Sequence, residues 1–384
     1  MQKSSLTTSA ADSACPLDRF AQLPEAKWNA LARETGPFVD WRFLASLEQA
    51  GCIGGNGWNT CISLVGDAAA PRAAAPAFIK SHSHGEFVFD WAWAHGAQAA
   101  GLRWYPKLLV AAPFSPVTGP RLLGSEQHPA AALELVRDLE ARVHERSLSS
   151  AGINFCSDSD AAVLREAGWL ERHDWQFHWT NPGYRDFDDF LSRLRHKPRK
   201  NIRAERRRVK QQGWQFEWKT GEALTDADID LADRCYQSTF ALYGNLPSLN
   251  RHFFELCARR FGRDFLLCVA SQHDEPLAAA IFWRDAQRLY GRYWGSLVDS
   301  RDVHFEACYY QGIDYCIHNG LKWFEPGAQG EHKIRRGFLP TRTRSFHYIR
   351  HPGLRRAIAN WLVHEKEALG RYRQHLDTLD PFTR

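Results

Sequence analysis

Residues 303–338 read VHFEACYYQGIDYCIHNGLKWFEPGAQGEHKIRRGF, and this stretch decides the fold class. Its first half has helical spacing. Phe305, Cys308, Gly312 and Cys316 form one apolar stripe, while Glu306 and Tyr310, four apart, share another face. Asn319-Gly320 supplies the stop signal. LKWFEPG then reads as a short buried strand closed by Pro326 and Gly327. Upstream, FLLCVASQ, PLAAAIFWRD and RLYGRYWGS are strand runs parted by the turn signals HDEP and DAQ. A three-strand antiparallel meander, a helix and a further strand therefore follow one another, which predicts a mixed α/β class.

The first half of the chain repeats that order. Phe38–Ala50 has helical spacing, and Asn59–Val65 and Ala77–Lys80 read as strands on either side of DAAAPRAAAP, which reads as an exposed connection. GEFVFDWAWA and LRWYPKLLVAAPF read as further strands. Ala130–Arg146 is a helix, Ile153–Cys156 a short buried strand, and Ala161–Ala167 a helix closed by Gly168. The length of 384 residues exceeds one ordinary core. We therefore expect a disordered polar tail over 1–20, one domain over 21–180 and a second over 181–384, the second carrying the working site.

Composition excludes several classes. Apolar residues at 44% and charged residues at 24% are globular values. The nine cysteines are scattered without a C-x-x-C pair, which speaks against a zinc ribbon or redox motif and suits a reducing compartment. The start lacks an apolar signal-peptide core, and no run approaches the ~20 apolar residues of a spanning helix, so a cytoplasmic location is expected. His82 and His84 share a strand face without a third ligand, and no metal is expected.

The densest chemistry lies after the LKWFE strand, where open sheets place their ligands. Glu325 and Glu331 are each candidates for the base that takes a proton from an attacking amine. Gln329, His332, Lys333, Arg335 and Arg336 suit substrate binding, the arginines offering a bidentate fork to phosphate. Glu306 and Tyr310 are placed to line a cleft, with Tyr310 as a general acid, and Tyr293 is placed on the strand before them. Between Arg193 and Lys210, ten of eighteen residues are Lys or Arg and one, Glu205, is acidic. This helix reads either as a phosphate-binding face, with Lys200 and Arg203 as contacts, or as a solvated bridge between domains. No Cys–His or Ser–His nucleophile motif is found, so direct transfer without a covalent enzyme intermediate is expected.

The strings LYGRYWGS, HFEACYYQGIDYCIHNGLKWFEPGAQGEHKIRRGFLP, FVFDWAWA and YPKLLVAAPFSPVTGPRLL resemble the peptidoglycan-biosynthesis GNAT proteins, relatives of the Fem aminoacyl transferases. That resemblance implies two tandem GNAT-like (acyl-CoA N-acyltransferase) domains, each a mixed, largely antiparallel sheet flanked by helices. It also implies transfer of an acyl or aminoacyl group to an amine, with acyl-CoA or aminoacyl-tRNA as donor and a small-molecule or lipid-linked cell-wall precursor as acceptor. Lys333 followed by Gly337-Phe338 resembles the K-x-x-x-G-F region that Fem enzymes place near the substrate's phosphates. The alternative is a non-catalytic module that binds a phosphorylated precursor or tRNA through the basic helix.

Overall fold

The computed structural model describes residues 17–299, 301–328 and 330–383. The tail expected over 1–20 lies largely outside them. The chain forms two compact units. One holds the described residues up to His173 and the returning segment Thr343–Glu367, and the other holds Asp174–Arg342 and the chain from Ala368 on. A linear division at residue 180 differs from this one chiefly in 343–367.

The strands of the first unit are β1 (Trp58–Thr60), β2 (Ser63–Asp67), β3 (Ala70–Ala75), β4 (Ala77–Lys80), β5 (Lys107–Val110) and β6 (Ser150–Asn154). The second unit follows with β7 (Leu170–Thr180), β8 (Trp214–Thr220), β9 (Phe265–Gln272), β10 (Glu275–Arg284), β11 (Arg288–Ser296) and β12 (Trp323–Glu325). β13 (Leu339–Ile349) then returns to the first unit.

In the first unit the order is β1-β4-β5-β6-β13, with β5 and β6 parallel and the other pairs antiparallel. A parallel pair needs a crossover, and the helix Pro129–Glu145 supplies it. Leu135, Val136, Leu139 and Val143 lie fully buried along one face of that helix. Each contributes about 2 kcal/mol of apolar burial. Two local readings change here. The Ala/Pro segment is not an exposed connection: Ala70–Ala75 pairs with β2, and Ala73, Ala74 and Ala75 are buried. Small side chains let that strand lie close under the crossover helix. The WAWA alternation is also not a strand. Trp91–Ala99 is helical, burying Trp93 and Ala97 four apart and exposing Trp91.

The second unit repeats the pattern as β7-β12-β11-β10-β9-β8. β8 to β11 form the expected antiparallel meander, and β12 lies parallel to β11 after a helical crossover over 303–318. The helix Asp226–Leu242 covers β10 and β11. Thr225 and Asp228 close its N-terminus as a reciprocal capping box. Both units are therefore mixed α/β with helices on mixed sheets, and both place a parallel strand pair on either side of one crossover helix.

Candidate active site

β11 and β12 pair only through Arg288–Trp323, Leu289–Phe324 and Tyr290–Glu325. β12 then ends, while β11 runs on to Ser296. Pro326 cannot donate to a ladder, so the strand stops there. Gly327 and Gly330 take φ of 94° and 118°, a region that disfavours any side chain. A Cβ on Gly330 would run into the His332 ring. The result is a crevice at the carboxyl end of a parallel pair, the usual ligand position in open α/β sheets.

The crossover helix beside this crevice is irregular. Val303–Phe305 is α-helical, Glu306–Tyr310 forms a π turn, and Gln311–His318 returns to α geometry. Such single π turns concentrate at functional sites. Glu306 is 4% exposed. Its Oε1 accepts from Arg206 Nε at 3.2 Å and Gln311 Nε2 at 2.9 Å. Burial pushes its pKa up. Tyr310 instead donates to Glu205 and accepts from Arg336 Nε at 2.9 Å.

Glu205 thus becomes part of the site, although the sequence reading passed over it. The available signal was its position as the one carboxylate among ten cations. Arg336 Nη2 donates to both of its oxygens, and the Arg336 guanidinium lies 3.6 Å from the Phe305 ring centre. These groups border a cavity of about 380 Å³, which Glu331, His332 and Arg335 also line. His332 Nε2 is 3.0 Å from the Tyr309 hydroxyl. Burial, with the nearby Arg336 and Lys333 charges, lowers its pKa and favours the neutral imidazole. Arg335 is exposed and has no carboxylate partner among the described residues.

Lys333 and Glu325 lie deeper. Lys333 is 3% exposed and donates to the Gly327 carbonyl at 2.8 Å. Burial is the main cause that lowers its pKa to about 7. Glu325 Oε1 accepts from Arg288 at 2.8 Å, and its Oε2 is buried, 3.9 Å from His178 Nε2. Cys308, near Lys333, is a partly buried thiol whose pKa desolvation pushes well up.

The structure therefore gathers Tyr310, Glu331, His332, Arg335 and Arg336 around one cavity. Lys333 and Glu325 stand behind it on the strand side. Tyr293 points elsewhere, its ring 5.1 Å from Tyr236 and 6.3 Å from Trp283. Lys200 and Arg203 sit on the exposed face of the basic helix His196–Gln211, where Arg203 is 3.4 Å from Asp188. Gln329 lies outside the described residues. The same helix lends Arg206 to Glu306 and Arg208 to Asp302, tying down the π turn.

A family model named FemAB-like, described as peptidoglycan biosynthesis/recognition, matches residues 19–384. No curated protein matches the sequence. Among solved structures, FemX is similar with a TM-score of 0.55 at 12% identity, over 88% of this chain and 98% of that one. The C-terminal domain of a putative lysylphosphatidylglycerol synthetase from Agrobacterium fabrum gives 0.54 at 10% identity, over 87% and 94%. L-PGS from Bacillus licheniformis gives 0.52 at 10% identity, over 88% and 97%. At these identities the likeness concerns the fold.

Proposed function

Because the chain belongs to the FemAB-like family of peptidoglycan biosynthesis and recognition, we propose that it transfers an acyl or aminoacyl group from an activated donor to an amine acceptor at the cavity of the second unit. The observation that carries this reading is the convergence on one cavity of Arg335, a guanidinium without a carboxylate partner among the described residues, a neutral-leaning imidazole, His332, and a carboxylate, Glu331. Amine attack on an acyl carbon needs a proton acceptor and a cationic grip on the substrate's phosphate. His332 or Glu331 takes the proton in this reading, and Arg335 holds the phosphate. Lys333, behind the cavity with one donor on the Gly327 carbonyl, in this reading supports the oxygen that becomes negative through the charge of its protonated form. The buried thiols of Cys268 and Cys316 and the partly buried Cys308, all with raised pKa, favour direct transfer over an acyl-enzyme.

Acceptor and donor follow the same reading: a cell-wall precursor amine, with aminoacyl-tRNA or acyl-CoA as donor. Exposed Lys197, Lys200, Arg207 and Lys210, without carboxylate partners among the described residues, suit a long polyanion such as tRNA. No described helix is long and apolar enough to cross a membrane. The same cations also favour a second reading, a binding module without turnover. Purified protein given radiolabelled aminoacyl-tRNA or acyl-CoA and a precursor with a free amine separates the two. Label transfer that His332→Gln and Arg335→Ala reduce supports the enzyme; salt-sensitive tRNA retention without transfer supports the module.

A further inference from the structure

The first unit holds a cavity of about 480 Å³ that the transfer reaction does not use. It lies where the chain enters β5, where the crossover helix Pro129–Glu145 ends, and where the long helix Pro352–Thr378 begins. Its volume falls within the ~300–1,000 Å³ of ordinary small-ligand sites. Arg103, Arg146 and Arg350 line it together with His351, and no Asp or Glu is among the described lining residues. Arg146 is 8% exposed, so its guanidinium is held largely out of water. Arg103 and Arg350 are exposed and have no carboxylate partner among the described residues.

Arg103 and Arg350, without carboxylate partners among the described residues, are like charges at one void, and a bound anion relieves their repulsion. Two further features raise the local positive potential. The long helix starts here with no acid in its first turn, leaving the positive end of its dipole uncompensated. His351 Nδ1 accepts the Leu354 N–H at 3.2 Å, so in the neutral ring Nε2 carries the hydrogen and is a donor. One wall is apolar, formed by Leu102 and the Tyr105 ring. The Tyr105 hydroxyl is already engaged with Ser83 and Asp90 at 3.0 and 3.1 Å, which leaves the ring as its contribution to a ligand.

We infer that this cavity binds a phosphate-bearing organic anion, with the phosphate on the Arg103, Arg146 and Arg350 guanidiniums and the organic body against Leu102 and Tyr105. Several guanidiniums match phosphate oxygens in number and planar geometry. The apolar wall distinguishes a ligand with a body from a bare ion. The site is built from first-unit residues alone and shares none with the second unit's cavity, so it holds whether or not the transfer reading does.

Calorimetric titration of the full chain with ADP, and separately with inorganic pyrophosphate, tests it. Saturable ADP binding should weaken at least about tenfold in Arg103→Ala/Arg350→Ala, as expected for losing two charge-assisted contacts. It should persist in Arg335→Ala. Both arginines are exposed, so an unchanged melting temperature checks that the double variant folds. ADP binding tighter than pyrophosphate supports a contribution from the Leu102–Tyr105 wall, and equal affinities overturn that part. Absence of saturable binding by both probes overturns the proposal, as does binding lost in Arg335→Ala but kept in the double variant.

Discussion

Arg336 and Glu205 stand 131 residues apart in the sequence, yet one Arg336 nitrogen, Nη2, lies 2.9 and 3.0 Å from the two oxygens of the Glu205 carboxylate. The side chains are 10% and 14% exposed, so the contact is largely out of water. It joins the basic helix to the turn after β12, and Tyr310 joins both.

Arg336→Ala removes a buried charge and leaves Glu205 with the Tyr310 hydroxyl alone. Breaking such a pair costs about 3 kcal/mol, because the remaining charge stays desolvated. Urea unfolding should show a loss of that order. Arg336→Lys should recover only part of it, since an ammonium cannot reproduce a planar fork that also stacks on Phe305. A loss below about 1 kcal/mol would mean that the pair is an exposed contact.

Lys333 has a folded-state pKa near 7 against an ordinary value of 10.5. Between these values the unfolded chain binds more protons than the folded one, so this group makes stability rise with pH across that window. Lys333→Met should therefore be most stabilising at and below pH 7, with its advantage shrinking towards pH 10.5. Unfolding curves at pH 6, 8 and 10 measure this directly. A stability gain independent of pH would show that Lys333 is charged and solvated in the native protein.

Burial raises the Glu306 pKa above that of a free carboxyl. Here the folded state binds the extra proton, so stability from this group falls as pH rises through the window above about 4.5. Glu306→Gln should gain on the parent protein between pH 4.5 and 7 when the two are compared by thermal unfolding. A gap that narrows over that range would mean that Arg206 dominates the carboxylate's environment.

Gly295 lies on β11 where the helix Asp226–Leu242 crosses it, and a Cβ there would overlap the Cys235 carbonyl. Backbone cannot move aside as a side-chain end can, so Gly295→Ala should cost more than the ~1–3 kcal/mol of ordinary overpacking. Soluble expression and melting temperature should both fall.

Much of this arrangement was legible in local sequence. The meander, the crossover helix and the strand closed by Pro326-Gly327 follow from period and turn residues that act within a few positions. The cluster from Glu331 to Arg336 was legible because it sits at a strand's carboxyl end. The π turn was not, because it depends on Arg206 and Arg208 holding Glu306 and Asp302 from about a hundred residues away. Glu205 was hidden for the same reason. A lone acid in a basic helix looks like charge balance until the fold brings Arg336 and Tyr310 to it. The Ala70–Ala75 strand was read as a connection because its Ala/Pro composition carries no strand signal, and pairing with β2 makes it a strand. The Trp91–Ala99 helix was read as a strand because tryptophans at alternate positions fit a period of two, while packing buries Trp93 and Ala97 four apart.

The most direct test of transfer at the second unit's cavity is a single-turnover assay with labelled aminoacyl-tRNA or acyl-CoA and an amine-bearing cell-wall precursor. It compares the parent protein with His332→Gln, Arg335→Ala and Lys333→Ala. The account predicts label on the acceptor amine, with the rate lowered at least ~100-fold by His332→Gln or Lys333→Ala, in keeping with the usual effect of a proton-transfer or oxyanion group. Arg335→Ala should act mainly by raising the donor or acceptor concentration needed. Transfer at the parent rate in all three variants would contradict the account.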